Sequence, residues 1–235
     1  MIDSAALRAR LDGVRERIAR AAGRAGRDPA SVRLVAISKT FSPDHIRAAA
    51  DLGQTDFGEN RVQEALRKMG ETADLRLRWH LVGHLQSNKA GKAGANFHVI
   101  HSLDDIGLVT RLDLAAQAAG RRLDLLVQVD LAGEATKHGV APEDVIQILS
   151  AAPTCRSARI TGLMLLPPAM TDPELARPYF ARLRRLRDDL VSRGIEPSML
   201  EELSMGMSHD VEVAVEEGAT FVRVGSAIFG ERIGV

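Results

Sequence analysis

Short apolar runs alternate with amphipathic helical patterns along the whole chain, eight times over, and this alternation restricts the possible folds more than any other feature of the sequence. Runs rich in Val, Ile and Leu that close on turn residues read as buried strands. Helical spacing between them implies parallel strands joined by crossover helices. The strands expected are residues 32–38, 55–58, 78–83, 96–101, 123–131, 158–165, 200–205 and 220–224. Helical patterns follow each: one begun by Ser42-Pro43-Asp44, then 61–69, one from 87, 103–119, 142–151, 173–192 and 210–217, and a last short turn over 227–229. Pro43 suits a first helical turn, and Gly120, Gly194 and Gly218 suit helix ends. Eight β-to-α units in 235 residues fit one (β/α)8 TIM barrel of the α/β class. The rival, an open doubly wound sheet, is disfavoured by the count of eight. Ahead of the first strand, Ala5, Leu7, Leu11, Val14 and Ile18 recur at helical spacing over 4–22, so an additional N-terminal helix is expected. One domain spanning 1–235 is expected, with 1–30 as leading helix and connection.

Composition narrows the partners. Lys+Arg and Asp+Glu both number 31, a formal net charge of +0, which gives no electrostatic reason to expect nucleic acid or an anionic membrane surface. The arginine-rich stretch 182–187 alternates with Leu183, Leu186 and Leu190 and reads as a solvated helix face. The lone cysteine, Cys155, excludes an intramolecular disulfide and suits a reducing compartment. No apolar run reaches 18 residues and the start lacks a secretory core, so a soluble, cytoplasmic protein is expected. Seven histidines raise a metal hypothesis. His80 and His84 are not on one helix face, however, and His98 and His101 point to opposite faces of a strand, so no metal site is expected.

In barrels of this kind the residues just after each strand build the active face. Here those positions are polar: Lys39; Glu59-Asn60-Arg61; His84 through Lys89; Gln128 and Asp130; Ser204 through Ser208; Arg223 through Ser226. A desolvated lysine at a strand end offers an amine nucleophile toward aldehydes; the alternative is an ammonium that snorkels into solvent. Glycine with serine hydroxyls at Gly206–Ser208 and Gly225-Ser226 can present N–H and O–H donors to an anion, and barrels often hold phosphate after strands seven and eight. Plain turns and caps are the alternative there. Arg223 shares strand parity with Phe221, and Lys39 with Val35 and Ile37. Strand closure would therefore bring both cations to one pocket, where like-charge repulsion lowers the amine pKa.

With those residues in view, the chain resembles the YggS-type pyridoxal-phosphate homeostasis proteins, which share the alanine racemase N-terminal-domain barrel. The resemblance rests on Ala36-Ile37-Ser38-Lys39-Thr40, Phe57-Gly58-Glu59-Asn60-Arg61-Val62-Gln63-Glu64, the run Trp79 to Lys89, Gly162-Leu163-Met164, Leu203 to Asp210 and Val222 to Gly230. It implies pyridoxal 5′-phosphate (PLP) as cofactor, held as a Schiff base on Lys39. It further implies Ser208, Gly225 and Ser226 at the phosphate, Arg223 at the pyridine nitrogen, and Asn60, Ser204 and Met207 lining the pocket. His84 receives no role. Arginine, already protonated, leaves the ring nitrogen neutral and weakens the electron sink. Racemisation needs a second acid/base, which related racemases supply as a tyrosine from a further domain. The only tyrosine here is Tyr179, in the helix after strand six. The expectation is therefore a non-enzymatic carrier or buffer of PLP in vitamin B6 homeostasis, with PLP-dependent apoenzymes as candidate recipients. A weak racemase is the alternative, and a Schiff-base aldolase using Asp130 or Glu59 a more distant one. A monomer is expected, a weak dimer being the alternative.

Overall fold

A computed structural model describes residues 2–133 and 138–230. Eight parallel strands close into a barrel in sequence order: β1 (Arg33–Ile37), β2 (Asp56–Glu59), β3 (Arg78–Leu81), β4 (Val99–Leu103), β5 (Leu123–Gln128), β6 (Ala158–Met164), β7 (Glu202–Ser204) and β8 (Phe221–Val224). Closure pairs β1 with β8, setting Val35 opposite Arg223. The helices are α1 (Ser4–Arg24), α2 (Pro43–Ala50), α3 (Val62–Glu71), α4 (Ala90–Asn96), α5 (Ile106–Ala118), α6 (Val145–Leu149), α7 (Arg177–Ser192), α8 (Val211–Glu216) and α9 (Ser226–Phe229). None of the described helices is long and apolar enough to cross a membrane.

The expected barrel and leading helix are both present, with edges shifted for local reasons. Residues 96–98 do not belong to β4: Asn96 ends α4, whose Gly94 lies so close to α5 that an added Cβ would sit 2.7 Å from the Leu112 carbonyl oxygen. Leu103 completes β4 rather than opening α5, which starts only after Asp105 caps the Gly107 N–H at 2.7 Å. β5 stops at Gln128, because Asp130 turns the chain by accepting from the N–H groups of Ala132 and Gly133. β7 is the shortest strand; a 3-10 turn over Pro197–Met199 delays its start.

Two apolar assemblies follow from strand alternation. Val35, Ile37, Val82, Val99, Leu126, Met164 and Phe221 pack inside the barrel. A larger core lies between the strands and the helical ring. α1 joins that outer core through Leu7, Leu11, Val14 and Ile18, all buried; each such burial contributes roughly 1.5–3 kcal/mol. Its polar side binds the last two helices. Arg17 forms a two-pronged pair with Glu212 at 2.6 and 2.7 Å and donates to the Ser208 carbonyl at 3.1 Å, while Arg10 donates to the Ile228 carbonyl at 2.8 Å. The leading helix thus braces from outside the two loops that follow β7 and β8.

Candidate functional site

At the C-terminal mouth of the barrel a cleft of about 390 Å³ is lined by Lys39, Asn60, Met207, Ser208, Arg223, Gly225 and Ser226, with Ile37, Phe41, Val82 and Leu166 among its apolar walls. Seven of the eight residues singled out from sequence therefore meet around one cavity. The eighth, Ser204, is fully buried and does not line it; it sits behind Arg223 and accepts the guanidinium's Nη1–H at 2.5 Å.

Lys39 lies two residues beyond the end of β1, on a wall of the cleft and partly exposed. The backbone on either side of it is held from beneath. Lys68 of α3, wholly buried, donates to the Ser38 carbonyl at 2.7 Å, to Glu59 Oε1 at 2.7 Å and to Glu64 Oε1 at 2.8 Å. Glu64 also accepts from the Thr40 N–H at 2.7 Å, and the Ser38 hydroxyl donates to Glu59 at 2.7 Å. Thr40 has φ 72°, the sole non-glycine residue at positive φ among the described residues. Holding it there costs on the order of 1–3 kcal/mol, which the Glu64 contact offsets. Burial pushes the Glu59 carboxyl pKa up, against the hydrogen bonds from Lys68 and Ser38. Glu64 is held below its ordinary value: desolvation opposes that direction, and the Lys68 and Thr40 hydrogen bonds outweigh it.

Arg223, near the end of β8, is almost fully buried and spends its second Nη–H on the Leu165 carbonyl at 2.9 Å. Burial pushes its pKa down to about 10, partly opposed by Asp210; at neutral pH it remains a cation. Across the mouth, the loops after β7 and β8 converge. The N–H groups of Gly225 and Ala227 reach the Ser208 hydroxyl only at 3.3 and 3.4 Å. These are long contacts that a stronger acceptor can replace. Gly206 has φ 92°, and a Cβ there would lie 2.4 Å from Ala214 Cβ, so only glycine lets this loop turn over α8. The Met207 N–H is taken by Asp210 Oδ1 at 2.6 Å, which fixes the loop's shape.

The "alanine racemase, N-terminal domain" family profile matches residues 2–233. A pyridoxal phosphate homeostasis protein of Aquifex aeolicus is 44% identical over 223 residues, covering 95% of this chain and 97% of that one. The chain belongs to the family of pyridoxal phosphate homeostasis proteins. A second such protein, from Pseudomonas aeruginosa, is 44% identical over 93% of both chains. The solved structure of PipY from Synechococcus elongatus with PLP bound superposes with a TM-score of 0.84 at 40% identity, over 95% of this chain and 100% of that one.

Behind the cleft wall lie groups to which the sequence assigned no supporting role: Lys68 and Glu64 beneath Lys39, with Glu59, expected only as a strand-end polar residue, paired to Lys68; and Asp56 with His80 and His101, weighed only as metal ligands, in line with Ser204 beneath Arg223. A usable signal existed for the second set, since polar residues at inward-facing strand positions are rare in barrel interiors. The expectation of no metal ligands rested on pairs near in sequence. The fold brings His84, Asp104 and His138 from three consecutive loops to within 4.8 Å of one another. The two imidazoles lie stacked, 3.5 Å apart and 8° from parallel, so their in-plane lone pairs do not converge on one ion.

Proposed function

We propose that this chain binds pyridoxal 5′-phosphate in the cleft and carries or buffers it, with Lys39 as the covalent anchor. The observation that carries the reading is the convergence of a lysine amine, a buried guanidinium and a donor-rich glycine–serine loop pair on one cavity of about 390 Å³. The PLP-bound PipY structure supports the same ligand class. The residues fit the cofactor's three chemical handles. When bound, PLP supplies an aldehyde that condenses reversibly with a primary amine, releasing water. Lys39 offers that amine at the cleft wall, and Lys68 and Glu64 hold its flanking backbone. Ser208, Ser226 and the N–H groups of Gly225 and Ala227 offer donors to a phosphate without a fixed cation. Arg223 presents a permanent donor to a ring acceptor. Asn60 and Met207 flank the cavity, Met207 from the exposed rim.

The carrier reading rather than a catalytic one is supported by two features. A protonated arginine can only donate, so a pyridine nitrogen facing it stays unprotonated and withdraws electrons weakly. The single tyrosine, Tyr179, packs in α7 against the outer core and not at the cleft. The test is an absorbance spectrum of purified protein with and without PLP, followed by borohydride reduction and peptide mapping. Reduction is expected to mark Lys39, and Lys39→Ala to lose the reducible chromophore; identical behaviour of both proteins would refute the anchor. Ser226→Asp is expected to weaken binding by setting a charge against the phosphate, and unchanged affinity would remove the loop after β8 from the site. Robust amino-acid racemisation by the wild type would overturn the carrier reading alone.

A further inference from the structure

The barrel interior contains a continuous hydrogen-bonded file that runs from the cleft toward the opposite end of the barrel. Arg223 Nη1 donates to Ser204 Oγ at 2.5 Å; Ser204 Oγ meets His101 Nδ1 at 2.7 Å; His101 Nε2 meets His80 Nδ1 at 2.9 Å; His80 Nε2 meets Asp56 Oδ1 at 2.9 Å. Ser204, His80 and His101 are wholly buried, Arg223 nearly so, and Asp56 ends the file at the opening of β2. Phe221 lies edge-on to both imidazoles, at 5.5 and 5.3 Å, and Arg33 covers the same ring at 3.9 Å. No described tyrosine, cysteine or lysine takes part.

The two ends force the direction of every proton between them. A guanidinium can only donate and a carboxylate can only accept. Ser204 therefore spends a lone pair on Arg223 and turns its O–H to His101 Nδ1. His101 must then carry its proton on Nε2 and give it to His80 Nδ1, and His80 must carry its own on Nε2 for Asp56. The reverse order sets the bare His80 Nε2 against the carboxylate and leaves the Ser204 proton without an acceptor in the file. Unsatisfied buried groups of that kind cost about 1–3 kcal/mol each. A second proton on His80 would set donor against donor, and one on His101 would turn the Ser204 hydroxyl proton away from its acceptor in the file. Burial drives both imidazole pKa values down. Among charged neighbours, Arg33 and Arg78 add to the effect at both rings and Arg223 at His101, while Asp56 opposes it at His80.

From this geometry we infer that Asp56, His80, His101 and Ser204 are positioning residues: a one-way hydrogen-bond file that fixes the Arg223 guanidinium so that its remaining face is aimed into the cofactor cleft. The functional half of this inference rests on the proposed PLP site; the direction of the file does not. Between Arg223 and the distant Asp56 the file consists of a hydroxyl and two neutral imidazoles, so it holds the arginine without setting a counter-charge beside it. That preserves a full cation facing the ring and keeps the ring nitrogen an acceptor.

Two measurements test it. Long-range 15N–1H NMR on the cofactor-free full chain is expected to show His80 and His101 neutral at pH 7, both with the proton on Nε2. In Asp56→Asn the amide can donate, and an inverted or mixed pattern is expected at both rings. A wild type with protonated Nδ1 at either ring, or an Asp56→Asn spectrum that leaves both rings unchanged, would overturn the file. The second measurement compares affinity for PLP with affinity for its analogue carrying carbon in place of the ring nitrogen. Ser204→Ala is expected to weaken PLP roughly tenfold or more, the scale of a hydrogen bond to a charged group, and to change the analogue little. Equal losses for both ligands would mean mere packing and overturn the positioning role. Should Ser204→Ala fail to fold, Asp56→Asn at the partly exposed end is the variant for the same comparison, read the same way. If wild type binds no PLP, the proposed function fails while the NMR result still decides the file.

Discussion

Two lysines lie on either side of the Ser38–Thr40 backbone and differ in everything except chemistry. Lys68 is fully enclosed and all three of its ammonium protons have acceptors: a main-chain carbonyl and two carboxylates. Lys39 stands on the wall of an open cleft among a guanidinium and hydroxyls. A buried ammonium with three satisfied bonds is a strut, since removing it would leave the buried Glu59 carboxylate without its counter-ion. An amine on a cavity wall, its backbone held by that strut, is placed to meet a ligand. The comparison gives a reason for a buried ion pair next to the candidate site: the Glu59–Lys68–Glu64 group offsets the strain at Thr40 and fixes where Lys39 starts.

The largest expected effect separates the two lysines outright. Lys68→Met strands Glu59 as a buried carboxylate, one of whose oxygens already lacks a partner; a loss of about 3–5 kcal/mol in denaturant unfolding is expected. Lys39→Met should change unfolding by less than about 1 kcal/mol and yet abolish borohydride trapping. The double variant Lys68→Met/Glu59→Gln should recover part of the stability, because both charges leave together; no recovery would break the picture of a paired strut. A smaller effect concerns pH. His80 and His101 bind protons less readily folded than unfolded, where their value is near 6.5. Between 6.5 and their lower folded values the unfolded chain takes up the extra protons, so stability falls as pH falls through that window. Each ring can add at most about 1.4 kcal/mol per pH unit. Denaturant unfolding from pH 7 to 5 should show this slope, and His101→Phe should flatten it. The smallest effect tests the brace outside the barrel. The Arg17–Glu212 pair is partly exposed, so Arg17→Met should weaken PLP by only about two- to fivefold, within the range of about 1 kcal/mol for such pairs. Unchanged affinity would confine the α1 brace to stability.

The parts legible from the chain are those whose cause is local. Strand and helix periodicity carried the barrel and the leading helix. The period of two along β1 and β8 was enough to point Lys39 and Arg223 toward the barrel interior, and the glycine–serine loops announced donors before any geometry was known. Lys68 was illegible for the opposite reason. It sits between Leu66 and Met69 in an amphipathic helix, where a lysine ordinarily faces solvent, and only the approach of Glu59 from β2 encloses it. Ser204, expected to line the pocket, lies behind it instead and accepts from the arginine that lines it.

The histidine file shows the same division. His80 and His101 lie 21 residues apart, and His101 and Ser204 lie 103 apart; nothing in their local sequence ties them. Alternation of side chains, turn chemistry and the order of eight units were determined by the sequence itself, since each depends on residues within a few positions of one another. Which polar groups meet in the dry interior, which lysine is enclosed and which stands at the cleft, and which way each buried proton points were decided only by closure of the barrel. Closure sets strands distant in sequence side by side, and a low-dielectric interior admits only arrangements in which every donor finds an acceptor.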